Sequence, residues 1–390
     1  MDFEYWWLLA LPLFFLLGWV AARVDIGQLL TETSTLPASY FRGLNFLISE
    51  QPDKAIEAFT EALKVDSNML ELHFALGSLF RRTGEMDRAI RLHQGLLERE
   101  NLDETQRLMA MAELSQDYLK AGLLDRAEEL FVKLTETRYV QSALKALLEI
   151  YVREKEWVQA VDAAQRLEAL SGRPLGREIA QFHCELAHQH ILLGDAVAAT
   201  GSLQTALGAN RNSVRANIML GDIAAANGQH AEALQLWRAV ELQLPEYIEL
   251  IAARMMASWR VLAKTDASKA EEGLTWLREV VRKYQLEEAA QVLFDATLDL
   301  RGSEAAYRMA HDEADLSPTL AALDRLLQAK VSGMPDGDLR LVMDAIKRHL
   351  ERTAYHRCTT CGYTARQFHW HCPSCGEWET FPPKFERDVK

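Results

Sequence analysis

A recurrence every roughly 34 residues constrains this chain more than anything else in it. Gly43, Phe46 and Ala55-Ile56 return as Gly77, Phe80 and Ala89-Ile90. Apolar residues are spaced at helical intervals on both sides of Gly84, which breaks the pattern, so the stretch Leu70 to Asp103 predicts two antiparallel helices. Small residues have a physical task in such a pair. Gly77 and Ala89 are expected where the helices cross, because a larger side chain would push them apart, and Phe80 is expected to fill the hole beside them. A single pair cannot bury its apolar face, so pairs must stack.

The alanine that opens each second helix can be followed along the chain at close to the same period: Ala55, Ala89, Ala127, Ala160, Ala199 and Ala233. Two of the intervals, Ala89 to Ala127 and Ala160 to Ala199, are longer and hold inserted loops at Asn101–Glu104 and Ser171–Gly176. Turns precede the alanines at Glu50, Gly84, Gly122, Lys155, Gly194 and Gly228. Aromatic residues recur at packing positions, among them Phe59, Phe80, Tyr118, Phe131, Tyr151 and Trp237. This is the pattern of the tetratricopeptide repeat. The predicted fold is therefore an all-α tetratricopeptide-repeat superhelical solenoid, with six repeats over 36–247. Pro245 ends the sixth pair. Three divergent pairs follow over 248–353: Ile248–Leu262 with Ser268–Tyr284, Glu287–Leu300 with Ser303–Ala314, and Pro318–Ala329 with Asp336–Leu350.

Two different modules flank the repeats. Tyr5–Ala22 reads YWWLLALPLFFLLGWVAA, without a single charge. As a helix it would be roughly 27 Å long, close to the ~30 Å hydrocarbon core of a bilayer. Trp6, Trp7 and Trp19 stand near its ends, where interfacial aromatics belong. Asp2 and Glu4 precede it and Arg23 follows, which favours a retained single-pass anchor over a cleaved signal peptide, with the body of the chain on the cytoplasmic side. We assign 1–23 to this anchor and 24–35 to a polar connector.

The second module is the tail, 354–390. Its core reads YHRCTTCGYTARQFHWHCPSCGEWETF, a CxxCG and a CPxCG with ten residues between Cys361 and Cys372. Each glycine, Gly362 and Gly376, permits a tight turn whose backbone N–H groups point at the thiolates. Cys358, Cys361, Cys372 and Cys375 are the predicted metal ligands. Four thiolates in a tetrahedron suit Zn2+ or Fe2+/Fe3+, and zinc is the usual structural choice. A module this small cannot fold on an apolar core alone, so metal binding would supply its folding energy. Tyr363, Phe368, Trp370 and Trp378 are expected to cover the centre. Paired CxxC motifs also fit a reducing compartment better than disulfides do. An electron-transfer role in the manner of a rubredoxin is the alternative.

The chain carries a net charge of −13, which argues against broad nucleic-acid binding. No phosphate-binding glycine loop, HExxH or GxSxG motif is present, so no enzyme is predicted. Cys184, with His188 one helical turn on, could form a reactive pair, but a lone helical cysteine is more often a small packed hydrophobe. The working surface should then be the first-helix face of the repeats. Phe74, Arg81, Lys145, Glu149 and Arg215 are the candidate partner-binding residues on it, in a mixed apolar and charged groove suited to peptide segments.

The order of anchor, repeats and CxxCG…CPxCG tail resembles the lipopolysaccharide assembly protein B family of Gram-negative bacteria. The stretches that carry the resemblance are Gly43–Leu47, LGSLFRRTGEMDRAIRLHQ (Leu76–Gln94) and WHCPSCGEW (Trp370–Trp378). The tail alone is also similar to the zinc module of a bacterial DNA-repair ATPase, whose nucleotide-binding loop is absent here. The family resemblance implies an inner-membrane adaptor rather than an enzyme. It implies a membrane-bound AAA+ metalloprotease and the deacetylase that commits precursor to lipid A as partners, beside other envelope-synthesis proteins, and a metal module packed on the repeats. A scaffold for envelope-synthesis enzymes with no role in proteolysis is the second reading, and the sequence leaves a homodimer open.

Overall fold

The six alanines expected to open second helices are all fully buried. The six expected turn residues all take left-handed backbone conformations, with φ of 54° at Glu50, 60° at Lys155 and 77–85° at the four glycines. The fold is thus a tetratricopeptide-repeat array of helix pairs followed by a small zinc-ribbon-like module. The computed structural model describes residues 12, 14–19, 37–65, 69–316, 319–330, 337–383 and 386–387. The predicted membrane helix Tyr5–Ala22 lies largely outside the described residues. Inside it, 12 and 14–19 are helical and exposed, and no described helix is long and apolar enough to cross a membrane.

Two compact units divide the chain, Met1–Ala146 and Leu147–Lys390, and the helix Val140–Glu154 contains the division. The first unit holds pair one (Ala38–Ile48 and Pro52–Val65), pair two (Leu70–Thr83 and Met86–Leu97) and pair three (Glu104–Ala121 and Leu124–Leu134). Gly43 is pressed by the ring of Phe59, and Gly77 by the imidazole of His93, so a Cβ at either glycine would collide. The group that fills the hole at Gly77 is therefore His93, not Phe80, which packs instead with Phe59, Leu76 and Leu79. The inserted loop before pair three ends in a capping box. Asp103 accepts from the Gln106 N–H at 2.7 Å and the Gln106 side chain accepts from the Asp103 N–H at 3.1 Å.

The second unit continues with Trp157–Ser171, then pair five (Gly176–Leu192 and Ala196–Ala209) and pair six (Val214–Ala226 and His230–Gln243). Gly221 repeats the close approach, this time beneath Trp237, whose Nε1 donates to the Ile218 carbonyl at 3.1 Å. Beyond Pro245 the structure differs from expectation at one place. Pro245–Leu250 is a 3-10 turn, and the α-helix begins only at Ala252. Proline at the first position lacks an N–H and fixes φ, which suits a turn that buries Tyr247 and Ile248. Pair seven (Ala252–Leu262 and Ser268–Tyr284) also inverts the packing rule. Its small residue, Gly273, is on the second helix and its large one, Trp259, on the first. Pair eight (Glu287–Arg301 and Ser303–Leu316) and pair nine (Leu320–Lys330 and Gly337–Thr353) complete the helices. Pro318 lies outside the described residues, and Thr319 Oγ1 accepts from the Ala322 N–H at 3.1 Å as the last pair begins.

The tail opens on a three-stranded antiparallel sheet. Strand β1 (Ala354–Arg357) lies between β2 (Thr364–Ala365) and β3 (Glu386–Arg387), with His356 opposite Ala365 and Tyr355 opposite Glu386.

Candidate metal centre and the surface it covers

Two backbone knuckles of the same construction hold the cysteines. Cys358 N–H donates to the Tyr363 carbonyl and Cys372 N–H to the Glu377 carbonyl, at 2.8 and 2.9 Å. Gly362 and Gly376 N–H groups donate back to Cys358 and Cys372, both at 2.9 Å, which requires the left-handed φ of 76° and 73° that glycine adopts without strain. The result brings the four Sγ atoms within 4.8 Å of one another. Cys358 and Cys375 sulfurs stand 3.8 Å apart, as do those of Cys361 and Cys372. A metal about 2.3 Å from each of four tetrahedral thiolates sets an S···S edge of about 3.8 Å, whereas a disulfide needs about 2.05 Å. The donor set therefore fits a four-thiolate metal ion. Among the described residues no histidine joins it. His356 Nδ1 meets the Pro382 carbonyl at 3.1 Å, and His371 packs on Trp378 at 4.5 Å.

The aromatics around this centre face outward to the repeats as well as inward. Trp378 inserts between Trp157 and Phe182, edge-on to both with ring centres 6.3 and 6.1 Å away. The side chain of its neighbour Glu379 is almost fully buried and accepts from Gln181 Nε2 at 2.7 Å and Arg177 Nε at 3.1 Å. Burial raises the Glu379 carboxyl above its ordinary value even against these donors. Trp370 stacks on Tyr247 at 5.2 Å, and Phe368 meets the same ring edge-on. Arg215 lies under Trp370 and Trp378, 5.5 and 6.0 Å from their ring centres, and is paired to Glu185 at 2.8 Å. The 3-10 turn that displaced the expected helix is what presents Tyr247 to the tail. Trp370 and Trp378 thus cover the repeats, a role the motif alone did not indicate.

The five candidate partner-binding residues fall into different settings. Arg215 is buried beneath the tail as described. Phe74 is a core residue, packed with Leu96 and Ala110. Arg81 donates to Asp117 and to Glu113, both at 2.6 Å, and Asp117 also meets His93 Nδ1 at 2.5 Å, so this charge is committed within the first unit. Lys145 and Glu149 are not covered in this way: Lys145 is exposed, and Glu149 pairs with Arg153 one turn on. Cys184 is fully buried, and burial pushes its thiol up to about 12, while His188 is exposed. The cysteine is a packing residue and does not form a reactive pair.

Comparison with known proteins agrees with both modules. Residues 356–383 match the family described as "Rubredoxin metal binding domain", and residues 42–100 and 185–244 match "Tetratricopeptide repeat". Neither description names a catalytic family. The chain is 36% identical over 381 residues to "Lipopolysaccharide assembly protein B" of Escherichia coli K12, covering 96% of this chain and 97% of that one. It is 31% identical over 389 residues to the protein of the same name from Haemophilus influenzae, again covering 96% of this chain and 97% of that one. A solved tetratricopeptide repeat protein from Parabacteroides merdae is similar over 67% of this chain and 100% of its own, at 14% identity and a TM-score of 0.33.

Proposed function

Because the chain belongs to the lipopolysaccharide assembly protein B family, we propose that it is an inner-membrane adaptor that regulates lipopolysaccharide synthesis. On this reading 1–23 anchors the chain, 24–35 connects it, and the repeats and tail stand on the cytoplasmic side. The repeats bring a membrane-bound AAA+ metalloprotease and the lipid A-committing deacetylase together, and the deacetylase is degraded. A tether acts here by raising local concentration beside a membrane-bound partner. The observation that carries the reading is the match to the family along 96% of the chain. The test is the lifetime of the deacetylase in cells lacking this protein. We expect it to lengthen; an unchanged lifetime would leave the scaffold reading, without proteolysis, in its place.

We also take the metal to be zinc, as a structural ion. A closed four-thiolate site has no open position for substrate, and the matched modules include no redox partner. Bound zinc would offset half of the four thiolates' charge and lock the two knuckles together. Metal analysis with an absorption spectrum decides this: colourless zinc-loaded protein is expected, and red iron-loaded protein would return the electron-transfer alternative.

A further inference from the structure

Six arginines lie between Ala252 and Leu316, and four are held in ion pairs: Arg254 with Asp222, Arg260 with Asp299, Arg301 with Glu271, and Arg308 with Glu304. The other two, Arg278 and Arg282, have no ion-pair partner among the described residues, and both line one cavity of about 820 Å³ at pairs seven and eight. They are exposed and stand one turn apart on the helix Ser268–Tyr284. Like charges at that spacing destabilise a helix, and an anionic group held between them relieves the repulsion. Below them the cavity is apolar, with Leu286 and Leu293 buried and Met309 half-buried. Methionine adapts to side chains of different shape. The lining's other two arginines, Arg301 and Arg325, are held by Glu271 and Glu313, so Arg278 and Arg282 are the two it leaves without an ion pair among the described residues. Its remaining carboxylates, Glu287 and Asp312, lie on the two helices of pair eight.

We propose that this cavity binds an acidic, apolar segment of a partner protein. Carboxylates of the segment lie against Arg278 and Arg282, and an aliphatic side chain rests on Leu286, Leu293 and Met309. The site shares no residue with the surface that the metal module covers, so both are occupied at once. The proposal rests on the reading of the repeats as a partner-binding scaffold, but its test is independent of the deacetylase.

The test uses the full chain in detergent and a fluorescein-labelled octapeptide of alternating Glu and Leu, with a counterpart in which Gln replaces Glu. Fluorescence anisotropy should show the acidic peptide binding about tenfold tighter than the neutral one, with the preference shrinking as salt rises. The double variant Arg278→Ala, Arg282→Ala should bind the two peptides alike, with its metal content and melting temperature unchanged. Equal binding of both peptides to the unaltered chain, or an undiminished preference in the double variant, would overturn the site. So would loss, in the double variant, of binding to phosphatidylglycerol vesicles with the peptide preference intact, which would assign the arginines to a lipid surface. If the acidic peptide binds as expected and the deacetylase lifetime does not depend on this protein, the site stands and the degradation adaptor falls. The reverse result removes the site alone.

Discussion

Arg81 in the first compact unit and Arg215 in the second both sit on first helices of repeats, and both are withdrawn from solvent by different means. Arg81 is held by acids of the next repeat, Glu113 and Asp117, and Asp117 is shared with His93. Arg215 is paired to Glu185 and roofed by two tryptophans of the tail. One surface is closed by neighbouring repeats and the other by a module far along the chain. The lesson is that a repeat position does not by itself specify a binding residue. What covers the position specifies it, and in the second unit the cover is the module that carries the four-cysteine cluster.

The comparison breaks most visibly at the cysteines. Replacing Cys372 and Cys375 with serine removes half the ligand set, and structural zinc contributes on the order of 10 kcal/mol in small modules. We expect the tail to unfold, Trp370 and Trp378 fluorescence to shift to the red, and the Arg81 network to be untouched; an unshifted spectrum would show that the tail docks without metal. The complementary break is Asp117→Ala. It leaves Arg81 with Glu113 alone and His93 Nδ1 without its carboxylate, and we expect a loss of about 3–5 kcal/mol by denaturant unfolding, with the metal module still loaded.

A smaller effect sharpens how the two units treat buried acids. Asp117 has the Arg81 guanidinium and the His93 ring as partners, but among the described residues Glu249 has only backbone donors, the Ala289 N–H at 2.9 Å among them, and burial pushes its carboxyl up to about 7. The folded state therefore favours the protonated form. Its contribution to stability is complete below the ordinary carboxylate value of 4.5 and is lost as pH rises through about 7. Glu249→Gln should be neutral at about pH 4 and stabilise the second unit by up to about 3 kcal/mol at about pH 8. Thermal melts of both chains across this range test it, and parallel pH profiles would contradict it. The smallest effect should be the same in both units. Glu50 and Lys155 adopt φ of 54° and 60°, where glycine is unstrained. Glycine at either position should raise stability by about 0.5–1 kcal/mol, and unequal gains would mean that the repeat frames themselves differ.

The helix pairs were legible because each repeat solves the same packing problem with the same residues. The alanine at each crossing and the left-handed turn before it leave periodic traces. Pair seven was harder to read because Trp259 and Gly273 exchange roles, so the small residue is on the other helix. The metal centre was legible from spacing alone, since two CxxCG knuckles leave few alternatives. The covered surface was not. Phe74 and Arg81 follow the spacing of groove residues, yet their burial depends on Ala110 and Asp117 of the next repeat. Arg215 depends on Trp370 and Trp378, whose distance along the chain no periodicity spans.

The most direct measurement is hydrogen–deuterium exchange on the full chain before and after metal removal by a chelator. The account predicts that 355–381 loses protection and that the stretches it covers, 177–185 and 245–250, lose protection with it, while 104–134 in the first unit is unchanged. Free exchange in 355–381 with no change at 177–185 would contradict the claim that the metal holds the tail on the repeats.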